Sequence, residues 1–450
     1  MFRLPYKPRG MGKTFREWSV EQRWLLPPSV QELVPAGHVA HFVRELVREE
    51  LDLSAIFAPY TEERGAPPFH PTMMTALLLY AYSQGVYSSR RIARACEERV
   101  DFMAVTALQR PDFRTVSKFR LQHLSALEGL FKQVLRLCQK AGMVTLGHVA
   151  LDGTKVKANA SKRKAMSYER MLKSEVQLEA EVKRWFSEAE AADLRDDDEQ
   201  GRDRRGDELP AWVADKQKRL EKIREARAAL EAEAAAKAER HKPRGGGGSG
   251  GGGESEPPKV KARTQRNFTD PESRILKTSD GFVQGYNAQL AVCSEQQVIV
   301  AHDVVAEQND APRLPEMLAQ IRANAGRQAI ELSADNGYFS EANLRELKKR
   351  RVRGYVAPGR TSHGNTKRSK KKKKSAPRTA LAREMAARVR RGGHRSRYRL
   401  RKQVVEPVNG HIKEARGFRR FSLRGKAKVR GEWSLLCTVH NLLKLAARRG

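Results

Sequence analysis

The sequence predicts an α/β domain on a mixed five-stranded sheet, preceded by an all-helical region and interrupted by a helical hairpin. Three observations carry that expectation. Apolar positions recur at helical spacing through residues 29–140. Short β-rich apolar runs, two of them ending in an aspartate, follow in the rest of the chain. Residues 166–240, rich in Ala, Glu, Lys and Arg, separate the first such run from the others.

In the helical region, Val39, Phe42, Val43 and Leu46 share one face, and Leu124, Leu127, Leu130, Phe131, Val134 and Leu135 another. Residues 71–83 read as one amphipathic helix. Gly85 breaks it, and Ser88-Ser89 can cap a second helix carrying Arg90, Arg91 and Arg94. The pair is helix-turn-helix-like, which makes those arginines candidate DNA-binding residues; a plain helical hairpin with arginines on its wet face has the same spacing.

Residues 147–152 form an apolar run ending in Asp152. In the insertion after it, Leu178, Val182 and Trp185 form one stripe and Val213, Leu220, Ile223 and Leu230 another, as in two long antiparallel helices. Such charge-laced helices suit an insertion or a dimer arm rather than catalysis. Residues 245–253 read GGGGSGGGG, a linker no packed element accommodates, since glycine loses the most backbone entropy on ordering.

Residues 282–293 and 298–305 are then two strands joined by a polar turn. A helix over 312–324, a strand over 329–334 ending at Asp335, a capped helix over 340–349 and a short strand over 354–357 follow. A last helix, 403–416, contains Glu406 and Lys413. The order β-β-β-α-β-α-β-α is that of a ribonuclease H-like domain. Three antiparallel strands with parallel additions and helices on both faces would bury Val149, Leu151, Leu290, Val292, Val298, Val300, Ile330 and Leu332. The expected boundaries are a helical N-terminal DNA-binding domain over 1–144, a catalytic domain over 145–165 and 267–450, a helical insertion over 166–244 and a Gly-rich linker over 245–266.

The formal net charge is +34, and residues 351–450 hold 31 Lys and Arg against four acids, a net +27. A polyanionic partner follows. Residues 187–208 reverse the balance, with ten acids against four arginines, and are expected to be a solvated stretch or loop away from any polyanion. The lysine run at 370–374 repels itself too strongly to pack and reads as a solvated basic loop able to touch phosphate. Cys96, Cys138, Cys293 and Cys437 are scattered without metal-ligand spacing, which argues against a disulfide framework or a structural zinc site and fits a reducing cytoplasm. The longest weakly charged apolar stretch, 73–86, is too short for a membrane span, and the basic start of the chain lacks the apolar core of a signal peptide.

In this topology Asp152 and Asp335 stand at the ends of strands that can be neighbours, and the helix bearing Glu406 packs near the same edge. Taken singly, a strand-end Asp is usually a turn former and a helical Glu usually faces water. Three converging carboxylates instead call for a compensating charge, and hard divalent cations with oxygen ligands supply it. Two Mg²⁺ ions about 3.5–4 Å apart can activate an attacking oxygen and stabilise the leaving oxygen of a phosphodiester displacement.

Three blocks, Leu151-Asp-Gly-Thr-Lys-Val-Lys-Ala-Asn-Ala-Ser161, Ala334-Asp-Asn-Gly-Tyr-Phe339 and Val405-Glu-Pro-Val-Asn-Gly-His-Ile-Lys413, resemble the catalytic blocks of DDE transposases from bacterial insertion sequences. The helical region with His70-Pro71 and Arg110-Pro-Asp-Phe-Arg114 looks like their N-terminal domain. The resemblance implies that Asp152, Asp335 and Glu406 are the catalytic, metal-binding triad for Mg²⁺, with Mn²⁺ able to substitute, and that Lys413 contacts phosphate. The wider signature has a Tyr seven and an Arg or Lys four residues before the Glu. Lys402 fits the second position; Arg399 occupies the first, with Tyr398 one residue off.

The function so implied is a transposase that binds terminal inverted repeats and target DNA, cleaves, and joins 3′-hydroxyl ends. It would act as a homodimer or higher oligomer on DNA, in the cytoplasm at the nucleoid and without a membrane partner. Two alternatives differ in outcome: a ribonuclease H-like nuclease that cuts without joining, and a catalytically inactive DNA-binding derivative. A purely structural basic protein would explain the charge but not the three blocks.

Overall fold

A computed structural model describes residues 29–61, 67–200, 211–241, 260–278, 281–358, 379–391 and 397–449. Seven helices come first: α1 (Val39–Glu49), α2 (Ser54–Phe57), α3 (Pro71–Ser83), α4 (Ser89–Glu98), α5 (Val100–Thr106), α6 (Phe113–Gln122) and α7 (Leu124–Lys140). Then come β1 (His148–Lys157), β2 (Ala165–Ser167), the long helices α8 (Tyr168–Gln200) and α9 (Ala211–His241), and β3 (Gln265–Asn267), β4 (Arg274–Thr278), β5 (Gly281–Cys293) and β6 (Ile299–Val305). The chain continues through α10 (Leu314–Ala325), β7 (Glu331–Ala334), α11 (Glu341–Lys349), β8 (Arg353–Val356), α12 (Ala380–Arg390), α13 (Leu400–Gly410) and α14 (Lys426–Arg449).

Local chemistry sets the ends of these helices. Pro71 opens α3, where its missing N–H is not needed, and His70 Nδ1 accepts from the Thr72 N–H. Asp112 caps α6 by accepting from the Arg114 and Thr115 N–H groups at 2.7 and 3.1 Å. Ser340 does the same for α11 through the Asn343 N–H. Ser88 occupies the N-cap of α4, but its side chain makes no capping bond. Gly85 has φ +70°, and a Cβ there would lie 2.7 Å from the Arg416 carbonyl, so the turn after α3 needs glycine both for its backbone and for its approach to the C-terminal segment. α3 is buried on nearly every side rather than amphipathic.

The mixed sheet fits a ribonuclease H-like domain but has six strands where five were expected. Its path is β4-β5-β1-β7-β8, with β6 also on β5. β5 is antiparallel to β1, β4 and β6; β1, β7 and β8 are parallel. The addition is β4, which pairs with the first residues of β5, while β6 pairs with the later ones. Among the residues expected in the core, Ile330 is 66% exposed; it precedes β7, outside the sheet's covered faces. Val149, Leu151, Leu290, Val292, Val298, Val300 and Leu332 are fully buried.

α14, absent from the sequence-based element order, is the centrepiece of the packing. Trp433, Leu436, Cys437, Val439 and Leu442 are completely buried in one continuous cluster shared by α3, α7, β1 and β6. The N-terminal helices and the sheet thus share one core. At its centre Glu432, fully buried on α14, accepts from the Ser422 and Leu423 N–H groups at 2.9 and 3.1 Å and from the Tyr82 hydroxyl of α3.

The expected hairpin is present as α8 and α9, zipped by Leu178, Leu220, Ile223 and Leu230. Its root is a small ribbon in which β2 and β3 pair antiparallel, so an ordered strand begins inside the span assigned to the linker. The acidic stretch is not a loop throughout, because α8 runs on to Gln200. The glycine run at 245–253, the lysine run at 370–374 and the basic start of the chain lie outside the described residues. No helix among the described residues is long and apolar enough to cross a membrane, and the four cysteines are buried and free.

Candidate active site

Strand register builds the site. In the parallel pair, Leu151 of β1 stands opposite Ala334 of β7, the last rung of their ladder, so Asp152 and Asp335 leave it side by side. β7 ends there. β1 does not: it continues to Lys157, with Asp152 still paired to Leu290 of β5, so Asp152 sits mid-strand rather than at a strand end. Asp335 turns into a short 3₁₀ segment and accepts from the Gly337 N–H at 2.8 Å.

Beneath the pair lies a polar floor. Asp310, in the loop after β6 and 8% exposed, accepts from Asn287 Nδ2 at 2.6 Å and from Gln289 Nε2 at 2.8 Å. The buried Tyr338 hydroxyl donates to Gln289 Oε1. Two glycines make room for this arrangement. A Cβ on Gly153 would lie 2.6 Å from Gln289 Nε2 and 2.9 Å from both Asn287 Oδ1 and Asp310 Oδ1; one on Gly337 would lie 3.0 Å from both Asp310 Oδ2 and Asp335 Oδ1. Gly153, next to Asp152, and Gly337, two residues after Asp335, are therefore packing requirements of the carboxylate cluster.

α13 supplies the countercharge. Arg401 Nη1 lies 3.3 Å from Asp152 Oδ2, with both side chains largely buried. Burial pushes the Asp152 carboxyl up to about 6, against the pull of Arg401 and with added repulsion from Asp335 and Asp310. Asp335 is also raised, first by burial and then by Asp310, while its Gly337 N–H bond, Arg401 and Lys155 oppose the shift. Lys413 Nζ donates to the Lys155 carbonyl at 2.8 Å, and burial lowers its pKa. Tyr398 is raised by burial, and the charges it feels include Arg401, Asp335 and Asp152, which puts it beside the same cluster.

The residues expected from sequence thus divide. Asp152, Asp335 and Lys413 come together. Glu406 is exposed on α13; the charges that raise Asp152 are those of Asp335 and Asp310, and the charge that raises Asp335 is that of Asp310. Among the described residues no three His, Cys, Asp or Glu are grouped to hold a metal ion. Lys402 and Arg399, the positions expected from the signature, are exposed, and it is Arg401 that contacts Asp152. One residue along a helix turns a side chain by about 100°, enough to exchange site for solvent. The signal was present, since Tyr398 and Arg401 keep the three-residue spacing of the Tyr/Arg pair. Asp310 was also missed; its sequence trace is the polar pair Asn287 and Gln289 in β5, which are buried and donate to it. Arg90, Arg91 and Arg94 stand on the exposed face of α4, Arg90 over the Phe113 ring at 5.2 Å and Arg94 paired with Glu98 at 2.7 Å.

The donor set suits a hard divalent cation. Asp152 and Asp335 are neighbouring carboxylates, both shifted toward the neutral form, so the site lacks positive charge that one arginine only partly supplies.

Two family models match the chain. The transposase domain DUF772 matches residues 28–122, and the transposase DDE domain matches residues 261–442. No curated protein and no solved structure matches it.

Proposed function

Since the chain belongs to the DDE transposases of insertion-sequence type, we propose that it binds the terminal inverted repeats of its own element, cleaves phosphodiester bonds there and joins the 3′-hydroxyl ends to target DNA. The observation that carries this reading is the β1–β7 register, which leaves Asp152 and Asp335 adjacent at the end of the β1–β7 ladder, with Arg401 against Asp152.

Asp152 and Asp335 would hold a divalent cation, and Glu406 of α13 is the third carboxylate of the reading. Bound Mg²⁺, or Mn²⁺ in its place, contributes Lewis acidity toward phosphoryl oxygens. Arg401 counters the repulsion between the carboxylates and an incoming phosphate and has guanidinium N–H groups beyond the Asp152 contact; its Nε is buried and without a partner. Lys155 and Lys413, joined by the bond from Lys413 Nζ to the Lys155 carbonyl, hold phosphates flanking the scissile one. One site serves both steps. Water is the nucleophile in cleavage and the DNA 3′-hydroxyl in joining, so no covalent enzyme intermediate is needed, and the new 3′-hydroxyl takes its proton from solvent. Two ends handled together imply a dimer or higher oligomer on DNA, working at the nucleoid.

The test mixes the protein, a duplex carrying the element's end and a supercoiled plasmid with Mg²⁺. Plasmid products covalently joined to the end support transposition. Nicked ends without joined products would replace it with the nuclease alternative.

A further inference from the structure

Basic side chains gather between the inserted hairpin and the sheet. Two concavities of about 660 and 650 Å³ meet at the hairpin's root, sharing Arg163, Lys164 and Thr269 in their walls. Ten lysines and arginines line the pair, against one acid, Asp215. Lys218, Arg219 and Lys222 of α9 form the hairpin side, and Lys157, Arg420 and Arg424 the sheet side. Two neighbouring acids are already engaged: Glu175 pairs with Arg224 and Arg227, and Glu233 with Arg266 and Arg274. The trough's α9 side chains lie toward the start of that helix, where neighbouring Lys216 pairs with Glu181 of α8 at 2.6 Å.

The trough is also connected to the active site. β1 runs from Asp152 past Lys155 to Lys157, a span of roughly 17 Å at about 3.4 Å per residue. Lys157 is bridged to Arg420 on the trough wall, and Lys413 lies over Lys155 on the way. A strand with a phosphate at the carboxylates, followed along β1, enters a surface lined with cations.

We propose that this trough at the root of the α8–α9 hairpin binds the DNA phosphate backbone without regard to sequence, extending the grip on the duplex held at Asp152 and Asp335. The hairpin is then a DNA clamp that grips through the cations lining this trough. The direction of the duplex rests on the function proposed above; the phosphate binding itself does not.

The experiment measures affinity for an unrelated duplex across a salt series, with the full-length protein. The trough variant is Lys218→Ala/Arg219→Ala/Lys222→Ala, at three exposed positions of α9; the control, Lys132→Ala/Arg136→Ala/Lys140→Ala, removes equal charge from exposed positions of α7. Melting curves establish that both fold. Each phosphate contact contributes about 0.9 to the slope of log affinity against log salt, so the trough variant should lose up to ~2.7 of slope and the control little. An unchanged slope in the trough variant overturns the proposal, as does an equal loss in both variants, which would mean diffuse charge. Loss of self-association with the slope intact also overturns it, by making the acidic stretch of a second copy the occupant. Slope lost as expected in a protein that neither cuts nor joins end duplexes would sustain the clamp and sink the transposition reading instead.

Discussion

Replacing Asp152 with Asn removes a charge while keeping the shape of the protonated carboxyl. In the folded chain that carboxyl titrates at about 6 rather than 3.8, chiefly through burial. Between those values the folded protein binds more protons than the unfolded one. The stability contribution of this group is therefore fully present below about pH 4 and lost as pH rises through about 6. At neutral pH the difference corresponds to up to about 3 kcal/mol, at about 1.36 kcal/mol for each tenfold change. Asp152→Asn is thus expected to be more stable than the native chain by up to about 3 kcal/mol near pH 7 with chelator present, and equal to it near pH 4. Urea titrations across that range measure the difference. Mg²⁺ should narrow it by binding only the folded native site. A variant equally or less stable at neutral pH, with no dependence on pH, would refute the electrostatic account of the site.

Gly153→Ala should destabilise by about 1–3 kcal/mol, measured by the same titrations, because its Cβ would sit within 2.9 Å of three polar atoms of the Asp310 floor. Arg401→Ala should nearly abolish cleavage while the exposed Lys402→Ala changes only the salt dependence of binding; equal effects in a cleavage assay would restore Lys402 to the site. Glu432→Ala should cost about 3–5 kcal/mol in urea unfolding, since it strips the buried Ser422 and Leu423 N–H groups of their acceptor.

What could be read from the sequence follows from what leaves a periodic or terminal mark. Strands β1 and β7 were legible because apolar runs ended at Asp152 and Asp335, and α11 because Ser340 caps it. α14 was not, because residues 431–442 are buried on every side, so that its polar side chains, Ser434, Thr438 and Asn441 among them, mark no solvent face. β4 was missed for the opposite reason: of Arg274–Thr278 only Leu276 is buried, too little to mark a strand. In the site, the two aspartates could be found from the ends of apolar runs, although β1 continues past Asp152, whereas Asp310 comes from a loop whose path only the fold decides. Arg401 was lost to a one-residue offset on α13. The charge bias was legible as a polyanion signal, but the gathering of cations from α9, β1 and residues 420–424 around two adjoining concavities needed the fold.

The most direct test of the central claim separates binding from chemistry at Asp335. Native protein and Asp335→Ala are given a duplex bearing the element's terminal repeat, with Mg²⁺, and both retention and strand breakage are read on gels. The account predicts end binding by both, with breakage by the native protein alone. Breakage at the native rate by Asp335→Ala would contradict it.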